Sequence, residues 1–285
     1  MNGVTAVLLL SCPDQKGIVA AVSDFLYRHD GNIIHADQHT DAEEGVFLQR
    51  VEWELEAFGV AREGIAEAFR PIAERFGMTW ALHFSDERPR IAVLASTLPH
   101  CLYDILARWR MGEFHADVPL IISNHTDLQP IAHQFDVAFL HVPVTARAKA
   151  AQELRIREEL ERARVDVVVL ARYMQVLGDE VVARYPDRII NIHHSFLPAF
   201  AGARPYHQAH ERGVKIIGAT AHYVTPELDQ GPIIEQDVVQ VSHRDSVADL
   251  VRKGRDLEKT VLARAVDLHL RRRVLVYGNK TVVFD

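Results

Sequence analysis

The strongest constraint on the fold is a change of rhythm at Ser85-Asp86-Glu87-Arg88-Pro89-Arg90. This stretch is polar, contains a proline and has no periodicity, so it reads as a linker. On either side of it, strands and helices follow one another in different orders. A chain of 285 residues already exceeds one ordinary domain. We therefore expect a first domain over residues 1–84, a linker over 85–90 and a second domain over 91–285.

The first domain opens with a continuous apolar run, Val4 to Leu10, broken by Ser11 to Gly17. Ile18, Val22, Phe25 and Leu26 then recur at helical spacing, up to His29-Asp30-Gly31. Asn32 to Thr40 and Val46 to Leu55 read as paired strands joined by Asp41 to Gly45. Ala61 to Phe76 is an amphipathic helix, and Met78 to Phe84 a closing strand. The order β-α-β-β-α-β indicates a ferredoxin-like sandwich of one sheet and two helices.

After the linker, strands and helices alternate. The strands are Ile91 to Ala95, Val118 to Ser123, Val137 to His141, Val165 to Leu170 and Ile189 to His193. The helices are Leu98 to Trp109, Leu128 to Phe135, Arg147 to Ala163 and Asp179 to Arg184. Val/Ile-rich strands in this order imply a Rossmann-like, mostly parallel α/β sheet covered on both faces. Ile216 to Val224 and Ile233 to Val241 add two strands, Ser246 to Arg271 a long helix, and Gly278-Asn279 a final hairpin.

Composition narrows the function. A net charge of -7 argues against nucleic acid as a main partner. Arg271-Arg272-Arg273 reads as a helix C-terminus rather than a basic patch. Two distant cysteines, Cys12 and Cys101, exclude a disulfide framework and suit a reducing compartment. The first apolar run is too short to span a bilayer and has no basic flank. The expectation is a soluble, cytoplasmic protein.

Candidate chemistry concentrates between Asn191 and Val241. Asn191 and His193 are two apart at a strand's carboxyl end, so they point the same way, while His194 points to the other face. Asp229 lies in a Pro/Gly-bounded turn, Pro226 to Pro232. An amide, an imidazole and a carboxylate together suffice to attack and collapse a carbonyl. Each alone also has a structural reading, as a strand end, a buried histidine or a turn cap. Among sixteen histidines, His207 and His210 have ligand-compatible spacing, but no cysteine or HExxH accompanies them, and no metal is expected.

Two stretches resemble known families. Cys12-Pro13-Asp14-x-x-Gly17-Ile18-Val19 with Gly31-Asn32-Ile33 is similar to an ACT domain, an amino-acid-sensing module. The resemblance implies an effector site involving Asp14, Gly17 and Asn32, although Gly17 could merely permit the turn and Asp14 cap the helix. Asn191-Ile192-His193-x-Ser195-x-Leu197-Pro198, then Gly202, His207, Gly218, His222 and Leu228-Asp229-x-Gly231-Pro232, resembles the formyltetrahydrofolate-utilising family from about Arg90 onward. Carried over, Asn191, His193 and Asp229 are catalytic, and Met174, Gln175, Val176 and Leu177 bind folate.

Within that family the chain looks like the deformylase branch. An ACT-like module precedes the catalytic domain, and Ala95-Ser96-Thr97-Leu98-Pro99-His100 has no glycine with which to hold an acceptor's phosphate. His194 and the loop Gly202 to His207 also follow that branch. The resemblance implies hydrolysis of 10-formyltetrahydrofolate to tetrahydrofolate and formate, supplying formate for purine biosynthesis, with no cofactor required. Formyl transfer to an amine, or a non-catalytic amino-acid-sensing folate binder, are the alternatives. Unpaired sheet edges in the first domain lead us to expect a homo-oligomer.

Overall fold

The computed structural model describes residues 3–144, 149–198 and 205–284, so Gly202, Ala203 and Arg204 of the resemblance and the first residues of the helix expected from Arg147 lie outside the described residues. Two compact units emerge, residues 1–87 with 271–285, and residues 88–270.

The first unit contains β1 (Thr5–Pro13), α1 (Ile18–Arg28), β2 (Ile33–Asp41), β3 (Val46–Glu54), a 3₁₀ turn (Arg62–Gly64), α2 (Ile65–Phe76) and β4 (Thr79–Phe84). Its sheet runs β2-β3-β1-β4 with every pair antiparallel. Ala6, Leu8, Leu10 and Cys12 of β1 pack with Ile18, Phe25 and Phe69 of the helices. Val7 and Leu9 point to the opposite face with Leu48, which explains why the apolar run does not alternate.

That second face requires a correction of the expected boundaries. Its cover is the chain's last segment, β12 (Val274–Tyr277) and β13 (Lys280–Val283), whose Leu275, Tyr277 and Val282 pack there with Phe284. Arg50 Nε also donates to the Arg272 carbonyl (3.0 Å). Residues 271–285 thus belong with the first unit, because a sheet with two apolar faces needs something on each.

The second unit contains β5 (Arg90–Ala95), α3 (His100–Arg110), β6 (Asp117–Ser123), α4 (Gln129–Gln134), β7 (Ala138–His141), α5 (Lys149–Arg162), β8 (Val167–Leu170), α6 (Asp179–Arg184), β9 (Ile189–His193), α7 (Pro205–Arg212), β10 (Ile216–Tyr223), β11 (Ile233–Gln240) and α8 (Val247–Leu270). The seven-stranded order is β11-β10-β9-β8-β5-β6-β7. Strands β9 to β7 of that order are parallel, and β10 and β11 are antiparallel additions. The chain enters at β5, winds outward to β7, then returns to β8 on the other side, so the winding reverses between β5 and β8. Ser246 starts α8 with a reciprocal cap: its Oγ accepts from Asp249 N (3.2 Å), and Asp249 Oδ2 accepts from Ser246 N (3.0 Å).

Candidate active site

Strand β9 is buried among its neighbours, and β10 runs antiparallel beside it, pairing Asn191 with His222 and His193 with Thr220. The His222 Nδ1 lies 2.8 Å from the Tyr223 carbonyl. A carbonyl only accepts, so Nδ1 carries hydrogen and the neutral ring offers Nε2 as acceptor. Asn191 Nδ2 donates to that Nε2 at 3.2 Å, which leaves its second hydrogen available.

Asp229 completes the cluster from the turn after β10. Its Oδ2 is 3.3 Å from His193 Nδ1 and its Oδ1 is 3.7 Å from His222 Nε2. The hydrogen bond from His193 Nδ1 holds the Asp229 carboxyl well below the usual carboxylate range, against the opposing effect of burial. Asp229 adopts a left-handed φ of 56°, which Asp tolerates better than most residues. Gly231 makes the turn possible, since a Cβ there would lie 1.8 Å from the Tyr223 carbonyl oxygen. Tyr223 N in turn donates to the Pro232 carbonyl (2.9 Å), closing the loop onto the strand end.

The three residues singled out from the sequence are thus brought together. The structure adds His222, which joins Asn191 to Asp229. His193 is 5% exposed, and with Nδ1 facing the carboxylate its Nε2 has no hydrogen-bond partner among the described residues. That nitrogen is free to serve a reacting group.

Two further residues fix the segment leaving β9. Thr220 Oγ1 donates to the Ser195 carbonyl (2.9 Å) and accepts from Leu197 N (3.1 Å) and Gln236 Nε2 (2.9 Å). The hydroxyl's one donor and two acceptor positions are all used. His194 does not point away as strand parity implies. β9 ends at His193, and the two rings lie 5.1 Å apart, tilted by 33°. Burial, then the charges of Arg172 and His193, bring His194 down to about 4.

The loops after β5 and β8 meet where the winding reverses, the place where open α/β sheets take ligands. Ser96 Oγ donates to Asn124 Oδ1 (2.7 Å) and accepts from Met174 N (3.0 Å), so the hydroxyl is committed within the protein. In the expected folate segment, Met174 and Val176 expose apolar side chains and Gln175 is half-buried. Leu177 instead packs in the core beside Val181 and Tyr185, anchoring the loop with its side chain.

In the first unit an open cleft of about 500 Å³ is lined by Asp14, Gln15, Gly17, Ile18, Val19, Ser23, Thr40 and Phe47 among others. Asp14 and Gly17 lie where the resemblance puts an effector. Asn32 does not line the cleft; its amide donates to Glu54 Oε2 at 2.7 Å.

Comparison with known proteins gives a consistent picture. Residues 89–266 match the Formyl transferase family and residues 6–75 the ACT domain family. A formyltetrahydrofolate deformylase of Synechocystis sp. is 60% identical over 284 residues, covering 100% of both chains. The crystal structure of a formyltetrahydrofolate deformylase from Pseudomonas syringae pv. tomato superposes with a TM-score of 0.98 at 50% identity, covering 100% of this chain and 96% of that one. A glycinamide ribonucleotide transformylase from Symbiobacterium toebii reaches a TM-score of 0.67 at 35% identity, covering 72% of this chain and 98% of its own. Among the described residues no helix is long and apolar enough to cross a membrane.

Proposed function

This chain belongs to the formyltetrahydrofolate deformylase family, and from that premise we propose how its residues hydrolyse 10-formyltetrahydrofolate to tetrahydrofolate and formate. The observation that carries the mechanism is the run of contacts from Asn191 to His222, His222 to Asp229 and Asp229 to His193.

Water attacks the formyl carbon, and the carbonyl electrons move onto oxygen. The free hydrogen of Asn191 Nδ2 and a proton on His193 Nε2 face that oxyanion, each donor worth about 3–4 kcal/mol when preorganised. Asp229 orients the water, and its charge supports the His193 imidazolium until it takes the water's proton as the new bond to carbon forms. The intermediate collapses as the bond to N10 breaks, with His193 delivering a proton to the leaving nitrogen. The products are formate and tetrahydrofolate, and no metal or redox cofactor enters any step. Activity should therefore persist after exhaustive chelation. Met174 and Val176 supply the apolar grip on the folate ring system, with backbone groups of Gln175 at its edge.

The decisive experiment supplies 10-formyltetrahydrofolate and water alone and follows tetrahydrofolate by absorbance and formate by a coupled assay. Turnover only on addition of an amine would replace hydrolysis by transfer.

The same reading extends to regulation and setting. The cleft at Asp14 and Gly17 takes an amino-acid effector, the carboxylate of Asp14 meeting its ammonium group. Edge strand β2, with Ile33 and Ile34 exposed, is where a second copy pairs. Two free, buried cysteines suit the cytoplasm, where the released formate supports purine biosynthesis.

A further inference from the structure

The crevice between the carboxyl ends of β5 and β8 holds side chains of the protein itself. Glu258 of α8 is 1% exposed. It is met by His100 Nε2 at 2.8 Å, from the start of α3, and by the Tyr206 hydroxyl at 2.6 Å, from α7. Arg172, just beyond β8, places its Nε 3.4 Å from the same carboxylate.

Two positions depart from local preference to build this cluster. Arg172 adopts a left-handed φ of 62°, unusual for a residue with a side chain. Gly254 occupies the interior of α8, one turn before Glu258, where glycine is unfavourable. A Cβ at Gly254 would lie 2.1 Å from the Tyr206 hydroxyl, so the glycine lets the phenol reach Glu258.

Not every nitrogen around the carboxylate is satisfied: His100 donates through Nε2, which in a neutral ring leaves Nδ1 as the acceptor side. Arg172 Nε and His100 Nδ1 are buried without a hydrogen-bond partner among the described residues, and the Arg172 side chain is only 10% exposed. His100, Cys101 and Glu258 bring potential ligand atoms within 4.8 Å of one another. A cation fits poorly there, because a guanidinium already lies beside the carboxylate and burial pushes the Cys101 thiol well up. Buried donors surrounding a single internal acid make a seat for an anion.

We propose that Glu258 is a specificity-determining residue: its carboxylate fills an anion seat formed by Arg172 and His100, which bars a phosphate-bearing amine from the crevice and leaves the formyl carbon to water. The position suits this role. The His194 ring lies 5.1 Å from His193 on one side and 6.3 Å from Tyr206 on the other, so the seat is close to the reacting groups. The consequence for acceptor choice rests on the hydrolytic reading, whereas the seat rests on the cluster alone.

The test is Glu258→Ala in the full chain, with inorganic phosphate as probe. Calorimetry should show phosphate bound at least about tenfold more tightly than by the unaltered protein, because the freed guanidinium and imidazole offer charge-assisted hydrogen bonds. A folded variant with no such gain overturns the proposal. Removing one partner of a buried ion pair can also prevent folding. In that case phosphate, but not chloride at matched ionic strength, should restore refolding, and failure of that rescue equally overturns the proposal. Absence of formate release by the unaltered protein would defeat the hydrolytic reading instead, leaving the phosphate measurement to judge the seat.

Discussion

Asn191 and His222 face each other across β9 and β10, with the amide nitrogen 3.2 Å from the ring nitrogen. The imidazole, itself oriented by the Tyr223 carbonyl at 2.8 Å, sets which way the carboxamide points. His222→Ala should leave the amide free to rotate. We expect kcat to fall about ten- to a hundredfold, less than the loss of a whole oxyanion donor. KM for 10-formyltetrahydrofolate should change little, since His222 is 1% exposed. Initial rates over a substrate series would test this, and a defect confined to KM would contradict it.

Asp229 and His193 should behave as one unit. Asp229→Asn keeps the side chain's shape but removes the charge facing His193 Nδ1 at 3.3 Å. His193→Ala removes the unpartnered Nε2. Each change should lower kcat by about a hundred- to ten-thousandfold while folate binding, followed by fluorescence quenching, persists. The double variant should be little worse than the poorer single one, because residues acting together are not additive. Independent, multiplying losses would show that the two work in separate steps.

Acid should destabilise the fold in two windows. His194 and His83 are both brought down to about 4, His194 by burial with Arg172 nearby and His83 by burial with Arg272 nearby. The unfolded chain takes up their protons near pH 6.5, before the folded chain does. Stability therefore falls as pH drops from about 6.5 towards 4, by up to about 1.4 kcal/mol per pH unit for each ring. Asp229 acts lower on the scale: its carboxyl is depressed in the folded state, so its contribution is complete above the ordinary carboxylate range and is lost below it. Melting temperatures against pH should show a shallower decline between 6.5 and 4 in His83→Gln and His194→Gln. An unchanged slope in both would refute the assignment.

The cleft in the first unit makes the effector reading testable. Asp14 and Gly17 line it, and a screen of amino acids against hydrolysis rate should find at least one that changes turnover. Asp14→Ala should abolish that response with the basal rate unaltered, since Asp14 belongs to the first unit and the catalytic cluster to the second. A response that survives the substitution would place the effector elsewhere.

Much of this architecture was legible because local patterns and packing agree. The uninterrupted run from Val4 to Leu10 was readable as a strand, but it did not reveal that its second face is apolar and covered by residues 271–285. Periodicity reports that a face is buried without naming its partner. Two-residue parity put Asn191 and His193 on one face and the Pro/Gly turn fixed Asp229, but it was the resemblance of the whole motif that joined the three. His222 was named in the motif without a role, which follows only once β10 is set antiparallel beside β9 and His222 lies opposite Asn191. Thr220 and Gln236 gave no comparable signal, being unremarkable strand residues until the Ser195–Leu197 segment folds over them. Glu258 did leave a trace, as an acid one turn from Gly254 on the apolar face of α8, yet its partners come from three distant segments. His194 was misplaced because alternation holds only while a strand continues, and β9 stops at His193.

Gly231 offers the sharpest test of how closely the turn controls chemistry. It carries no side chain, so its effect must pass through the backbone. A Cβ would lie 1.8 Å from the Tyr223 carbonyl oxygen, far inside any allowed contact, so Gly231→Ala must push the turn off the end of β10. Asp229 is two residues away and would move with it, disturbing the approaches of 3.3 Å to His193 and 3.7 Å to His222 together. A displacement of about 1 Å can cost about a hundredfold in rate. Crowding of this kind typically costs about 1–3 kcal/mol of stability, so the variant should still fold. We expect kcat to drop by about a hundredfold with a folded protein by circular dichroism and a lowered but distinct melting transition. A variant that melts earlier yet turns over at the normal rate would show that the turn can shift without moving Asp229, and the rigid placement of the carboxylate would have to be abandoned.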